Sequence, residues 1–491
     1  MEYTQGSVWT DTRFKGTGMR WINLLVLPAL LAASSLSMAE PPKGVRLTPL
    51  DEYVHAPDPA YKWELVNTVE GADFKTYIIK LTSQGWRTEA DVNRVVWEHW
   101  LIATAPKEIK TNKAFIMVAG GSNDKGPPTG ADAITMAMAK ETGSVVAELK
   151  MVPNQPLIFN NDGKPRVEDD LIGYAWAKYL ETGDPTWLPR LPMVKSVIRA
   201  MDCMQEAAMK FSEGRFSIEK FVIAGGSKRG WTTWMSGPTD TRIEAIVPIV
   251  IDVANCDASL RHHCQVYGFW ATAIGNYYEH QILQRFDHPR MKELYAVVDP
   301  YSYLDRLTLP KFVVNASGDQ FFCPDSSQFY YDDLKGEKLL RYVPNADHSL
   351  KNSDAVQSII AYYQTIISGK KRPVPTWEFL PDGSIRVSSD VKPTKVTLWQ
   401  ANNPKARDFR LEKIGPAFKD SDLKANGDGT FTAKVETPKE GWTAAFVELS
   451  YDVGGTQPLK TSTAVRILPD VLPFKGIDPK TVKYEKELTA K

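Results

Sequence analysis

The sequence predicts an α/β protein: a mostly parallel sheet covered by helices, interrupted by a cap insert and followed by a small C-terminal β-sandwich. Three observations carry that expectation. From Trp97 onward, apolar runs of strand length alternate with helical patterns, as in a chain whose strands are buried on both faces. The interval 252–310 breaks the alternation with a long aromatic-rich stretch holding Tyr267, Phe269, Trp270, Tyr277 and Tyr278. After Lys370-Lys371-Arg372-Pro373 the pattern becomes short strand-like runs separated by turns such as Pro381-Asp382-Gly383 and Asn426-Gly427-Asp428-Gly429.

In chain order, strands are expected over 100–104, 114–119, 144–149, 220–224, 245–250, 311–315 and 338–343. Helices are expected between them over 131–141, 168–180, 194–211, 230–235, 326–334 and 353–367. The later strands fall at 377–380, 384–388, 395–399, 430–436 and 444–451. The resulting division is an extension with signal peptide at 1–39, a catalytic-type domain at 40–370, a β-sandwich at 373–470 and a tail at 471–491.

Composition narrows the function classes. Hydrophobic residues make up 43% and charged residues 24%, the balance of a folded soluble domain. Lys plus Arg and Asp plus Glu are both 59, so there is no basic excess to draw nucleic acid or an anionic membrane. Met19-Arg20, the apolar run 21–33 and the small residues before Glu40 have the layout of a secretory signal peptide. The run is short for a bilayer span of about 20 residues, so an exported protein without a stable membrane span is expected, periplasmic or secreted. An uncleaved anchor helix is the alternative. In an oxidising compartment the four cysteines suggest Cys256-Cys264 and Cys203-Cys323 disulfides, with four buried thiols as the alternative. There is no C-x-x-C, and His55, His99, His262, His263, His280 and His288 lack metal-ligand spacing, so no metal and no cofactor is expected. His262-His263 reads as a surface or packing pair.

The segment 221–231 is an apolar strand, a Gly225-Gly226-Ser227 turn and a helix start. A serine there is lifted above the sheet on a tight turn, and the glycine two before it removes a Cβ clash. The usual glycine two after the serine is replaced by Arg229, with Gly230 one later. A serine hydroxyl needs a base, and the base needs a third group to fix its tautomer. Asp319 follows the strand at 311–315 and His348 follows the strand at 338–343. Ser227, Asp319 and His348, each past a strand end and in that order, form the α/β-hydrolase arrangement. Asp325, read as a helix cap after Pro324, and Asp347, adjoining His348, are weaker rivals for the acid. The oxyanion-hole N–H groups are expected from Lys228 and from Gly121 or Ser122 after an early strand. Tyr267, Trp270 and Tyr277 are the candidate pocket residues of the insert.

Pro153-Asn154-Gln155-Pro156-Leu157, the 225–231 turn, Asn315-Ala316-Ser317-Gly318-Asp319-Gln320-Phe321-Phe322, Asp347-His348-Ser349, Arg407-Asp408-Phe409-Arg410 and Gly441-Trp442-Thr443-Ala444 together resemble the PhoPQ-activated pathogenicity-related protein family, from about Thr48 to Pro473. The resemblance implies an exported hydrolase-like domain with a β-rich domain after it. That family also contains a secreted eukaryotic growth regulator, so a binding or signalling protein without catalysis is the alternative to a serine hydrolase acting on a small-molecule or polymer ester or amide. The elbow is also similar to that of glucuronoyl esterases, whose basic residue after the serine lies beside the oxyanion. That likeness implies a charged role for Lys228, against a plain salt bridge.

Overall fold

The structure, a computed structural model, describes residues 43–489. The signal segment expected at 1–39 lies outside the described residues. Among the described residues no helix is long and apolar enough to cross a membrane.

The strands preceding the insert are β1 (Lys62–Glu70), β2 (Phe74–Gly85), β3 (Val96–Pro106), β4 (Lys113–Val118) and β5 (Val145–Leu149), a two-residue ribbon of β6 (Leu157–Ile158) with β7 (Pro165–Arg166), β8 (Lys220–Gly226) and β9 (Ile243–Ile249). After the insert come β10 (Lys311–Ala316) and β11 (Lys338–Val343). Nine of them form one sheet in the order β1-β2-β3-β5-β4-β8-β9-β10-β11, antiparallel from β1 to β5 and parallel from β5 onward. The strands are buried on both faces because alternate residues feed two different cores. On β8, Phe221 and Ile223 join one core, while Val222 and Ala224 join the other.

The helices are α1 (Pro49–His55), α2 (Ala133–Thr142), α3 (Glu168–Thr182), α4 (Arg190–Phe211), α5 (Lys228–Ser236), α6 (Cys256–Tyr267), α7 (Gly275–Glu279), α8 (Met291–Val298) and α9 (Ala355–Ser368). Val194, Val197 and Met201 of α4 pack into the first core, and Ile359, Tyr362 and Tyr363 of α9 into the second. The insert is helical, with α6, α7 and α8 standing between β9 and β10. The expected helix over 326–334 is only a short 3-10 turn at Ser326–Phe329, and the Asp325 side chain does not cap it.

The first two sheet strands escape sequence reading. β1 is mostly exposed, so it lacks an apolar face. β2 buries Thr76, Thr82, Ser83 and Gln84, three of which bond distant side chains or carbonyls: Thr76 with Thr104 at 3.0 Å, Ser83 with His99 at 2.9 Å, and Gln84 Nε2 to the Pro192 carbonyl at 2.8 Å.

Beyond α9 lie β12 (Pro375–Phe379), β13 (Ile385–Ser389), β14 (Lys395–Asn403), α10 (Leu411–Ile414), β15 (Lys419–Asp422), β16 (Phe431–Ala433), β17 (Trp442–Tyr451), β18 (Leu459–Ser462) and β19 (Arg466–Leu468). They make two antiparallel sheets, β12-β13-β16 and β15-β14-β17-β18 with β19 on β17, whose facing residues Ile385, Val387, Leu398 and Val447 share one core. The chain then returns to the insert. Lys483 O accepts from Trp270 N at 2.9 Å, and Glu485 at the start of α11 (Glu485–Thr489) takes Arg410 in a two-pronged ion pair at 2.9 and 3.0 Å.

The expected disulfides are absent: all four cysteines are buried free thiols. Cys256 and Cys264 are the first and ninth residues of α6, a rise of about 12 Å along a helix, whereas bridged Cα atoms lie within about 7 Å. Cys203 sits on the buried face of α4 in the first core, and Cys323 packs instead with Val266 and Tyr267.

Candidate active site

Ser227 stands between β8 and α5 with φ 57° and ψ −128°. Such a conformation costs a non-glycine residue on the order of 1–3 kcal/mol and persists only where the surroundings impose it. Here they do. Ser227 N donates to the Ile249 carbonyl at 2.8 Å, and Trp231 N donates to Ser227 O at 2.9 Å. A Cβ on Gly225 would lie 2.7 Å from the Arg229 carbonyl oxygen. One on Gly230 would lie 2.8 Å from the carbonyl oxygens of Gly225 and Ile249. The glycine displaced by one position from the usual pattern therefore still serves the close approach of helix to sheet.

Asp319 and His348 follow β10 and β11, the two strands beyond β9 on the same parallel edge that carries Ser227. His348 Nδ1 donates to Asp319 Oδ2 at 2.8 Å and lies 3.0 Å from Oδ1, and Phe321 N donates to Oδ1 at 2.7 Å. Asp319 is buried. His348 N donates to Gln320 Oε1 at 3.0 Å, and Phe321 packs on the imidazole at 4.2 Å between centroids. His348 Nε2 is buried and makes no hydrogen bond.

A cavity of about 70 Å³ opens beside Ser227, with Trp231, Ile251, Val253, Tyr277 and Phe321 among its walls. It is overwhelmingly apolar. Of the three insert aromatics expected to line it, only Tyr277 does. Tyr267 and Trp270 lie one layer behind, against His263, whose ring lines the cavity and stacks on Trp270 at 5.7 Å while meeting Tyr267 edge-on at 4.8 Å. They are displaced because His263 faces inward from α6. Burial, with Arg410 and His262 adding to it, holds the His263 ring down to about 3, so it is neutral and its Nε2 accepts from Ala271 N at 3.1 Å. Of the two expectations for His262-His263, surface or packing, packing is the one found: both rings are buried against aromatic neighbours.

Lys228, at the first turn of α5, lines the cavity beside Ser227, whereas Gly121 and Ser122 do not. Arg229 packs against Gly120, where a Cβ would meet Nη2 at 2.6 Å, and Gly121 turns back onto Met151. The Lys228 ammonium is not a free charge either. Its Nζ pairs with Glu168 at 2.9 Å and Asp169 at 3.1 Å, so the plain salt bridge describes it.

Asp325, a rival for the acid on sequence grounds, is fully engaged elsewhere. His262 Nε2 lies 2.9 Å from its Oδ1 and Arg407 Nη2 donates to Oδ2 at 2.7 Å. Burial opposes its ionisation, but His262 and Arg407 outweigh that and hold the carboxyl well below the usual range. With Cys323, these residues place three possible metal-ligating atoms within 4.8 Å of one another. Both Asp325 oxygens are already engaged, Oδ1 by His262 and Oδ2 by Arg407 and Gln328.

Sequence reading missed Asp252, just past β9. It is fully buried and accepts from Tyr330 at 2.7 Å and Tyr342 at 2.5 Å. Burial pushes its carboxyl up to about 7, the two hydroxyls pull against that, and Asp319 and Asp325 add to it. A raised carboxyl favours the folded state below its ordinary value and loses that contribution as pH rises through about 7. The stability of the wild type should therefore fall between pH 5 and pH 8 by on the order of a few kcal/mol, read by thermal unfolding. Asp252→Asn should flatten that slope, and an unchanged slope would show that Asp252 does not carry it.

The sequence matches the family described as PhoPQ-activated pathogenicity-related protein over residues 50–410. Autocrine proliferation repressor protein A of Dictyostelium discoideum is 40% identical over 456 residues, 87% of this chain and 92% of that protein. An acetyl xylan esterase from Paenibacillus sp. R4 superposes with a TM-score of 0.46 at 14% identity, over 67% of this chain and 97% of its own. Acetyl xylan esterase 1 from Thermoanaerobacterium sp. JW/SL YS485 also gives 0.46, at 13% identity over 65% and 93%. On the strength of the sequence match across most of its length, the chain belongs to the PhoPQ-activated pathogenicity-related protein family.

Proposed function

We propose that this protein is an exported serine hydrolase that cleaves an ester or amide bond of a small-molecule or polymer substrate through Ser227, His348 and Asp319. The observation that carries the proposal is the strained Ser227 turn lining an apolar cavity, on the strand edge that also bears the hydrogen-bonded pair of buried Asp319 and half-buried His348. Ser227 Oγ attacks the carbonyl carbon, and His348 Nε2 takes the hydroxyl proton and returns it to the leaving group. Asp319 on Nδ1 holds the imidazole in the tautomer that leaves Nε2 free to accept, and stabilises the imidazolium. The Lys228 N–H, at the N-terminus of α5, holds one side of the oxyanion. Water then repeats the sequence on the acyl-enzyme. The narrow apolar cavity fits a short acyl group. Export rests on the signal pattern before Glu40.

A fluorophosphonate probe is expected to label the folded wild type and to leave Ser227→Ala unlabelled. Equal labelling of both, or none of either, counts against the nucleophile. The 40% identical relative named for repressing proliferation favours a second reading, a secreted regulator that keeps the fold without using it. Ser227→Ala protein that retains full biological effect would select that reading.

A further inference from the structure

Resting on the hydrolase reading above, we infer that Glu168 is a positioning residue, a single carboxylate that clamps the Ser227 turn to the two neighbouring strand-end loops. Glu168 opens α3 with φ 53°, a left-handed conformation that a side chain of its kind seldom adopts. What imposes it is a converging set of bonds. Its backbone N donates to Gln155 Oε1 at 2.8 Å. Its Oε1 accepts from Gln155 Nε2 and from Arg229 Nη2, both at 2.6 Å. Its Oε2 accepts from Arg229 Nη1 at 2.7 Å and Lys228 Nζ at 2.9 Å.

The direct partners belong to two separate segments, and one of them, Gln155, carries the contact on to a third. Lys228 and Arg229 are the first two residues after the nucleophile. Gln155 lies in the loop after β5 and reaches the loop after β4 twice: its Nε2 donates to Gly121 O at 3.1 Å, and its carbonyl accepts from Asn123 N at 2.6 Å. Arg229 Nε donates to Val152 O at 2.5 Å, closing the ring of contacts onto the β5 loop. The consecutive cations after the serine are thus both consumed by α3, which explains why an arginine occupies the place of the usual elbow glycine. Arg229 is the strut and Glu168 the anchor. The carboxyl is held down to about 2, because Arg229 and Lys228 outweigh the effect of burial, so the clamp stays charged throughout the neutral range.

A nucleophile and its oxyanion donors lose rate steeply when displaced by about 1 Å. Glu168→Gln keeps the shape and removes the charge. It is expected to lower kcat for a small aryl ester by about 10- to 100-fold while leaving KM within about threefold, with Glu168→Asp recovering part of the loss. Glu244→Gln, which breaks the part-buried Lys113–Glu244 pair away from the site (2.6 Å), controls for simple loss of an ion pair. A kcat for Glu168→Gln within threefold of wild type, a loss confined to KM, or an equal loss in Glu244→Gln overturns the assignment. Hydrogen exchange reads the clamp without any turnover. Amides of 119–123 and 228–231 should exchange faster in Glu168→Gln than in Glu244→Gln, and unchanged exchange in both segments overturns it even if no ester is hydrolysed. A wild type that neither turns over ester nor takes the fluorophosphonate, yet shows that exchange difference, would instead overturn the hydrolase reading and leave the clamp standing.

Discussion

Replacing Asp319 with asparagine is expected to lower kcat by about 10⁴-fold while KM and the melting temperature change little. The new side chain would still fill the space, but its amide presents a donor where His348 Nδ1–H now meets an acceptor at 2.8 Å. The imidazole would respond by placing its proton on Nε2, the nitrogen that must accept from Ser227. The rest of the acid loop would persist, because the Gln320–His348 contact and the Phe321 packing on the ring do not depend on the charge. Steady-state kinetics on a reactive acyl ester, beside thermal unfolding, separates the two effects. A loss under tenfold would mean that Asp319 does not orient the base, and a matching fall in stability would mean that its role is structural.

The largest expected effect on stability comes from Arg410→Met. Arg410 is 1% exposed at its side chain and joins three regions. Its guanidinium pairs with Asp408 at 2.6 Å and with both oxygens of Glu485, and it lies 5.0 Å over Tyr267 and 5.4 Å over Phe269 of the insert. Removing the cation takes the ion-pair partner from nearly buried Asp408 and leaves Glu485 with only Lys413 as a cation, and breaking one side of a buried pair costs about 3–5 kcal/mol. Burial disfavours the Glu485 charge, and the Arg410 and Lys413 hydrogen bonds that overcome this hold the carboxyl far below its ordinary range. The substitution should therefore lower the unfolding midpoint in denaturant and loosen the 471–489 segment from the insert. Glu485→Gln in the Arg410→Met background should cost much less than in the wild type, since only the pair with half-exposed Lys413 is left to lose. Additive losses in that double variant would show the two residues acting independently.

The parallel sheet was legible because its strands are local and buried on both faces: 220–226 and 338–343 are apolar runs whatever they pack against. The Ser, Asp, His order was legible for a related reason, since each residue sits directly after its strand and needs only the strand to be recognised. β1 and β2 were not: β1 has no buried face, and β2 mixes its buried Ile78, Ile79 and Leu81 with buried Thr76, Ser83 and Gln84 that bond partners far away in the chain. The disulfide expectation failed on geometry that only the helix reveals: residues 256 and 264 look like neighbours in sequence but are separated by two turns of α6.

By itself, then, the sequence determined the family, the parallel part of the sheet, the tight serine turn and the places of Asp319 and His348 after their strands, because these depend on short-range pattern and chain order. Tertiary structure alone decided which groups reach the cavity and which charges are spent. Lys228 and Arg229 read as cations beside a nucleophile, and become a closed ion-pair network only when α3 brings Glu168 and Asp169 against them. Likewise His263 and not Tyr267 or Trp270 faces the pocket, through the rotation of α6. Hydrogen bonds and ion pairs act over about 3 Å, and no spacing along the chain states which distant residues will close to that distance.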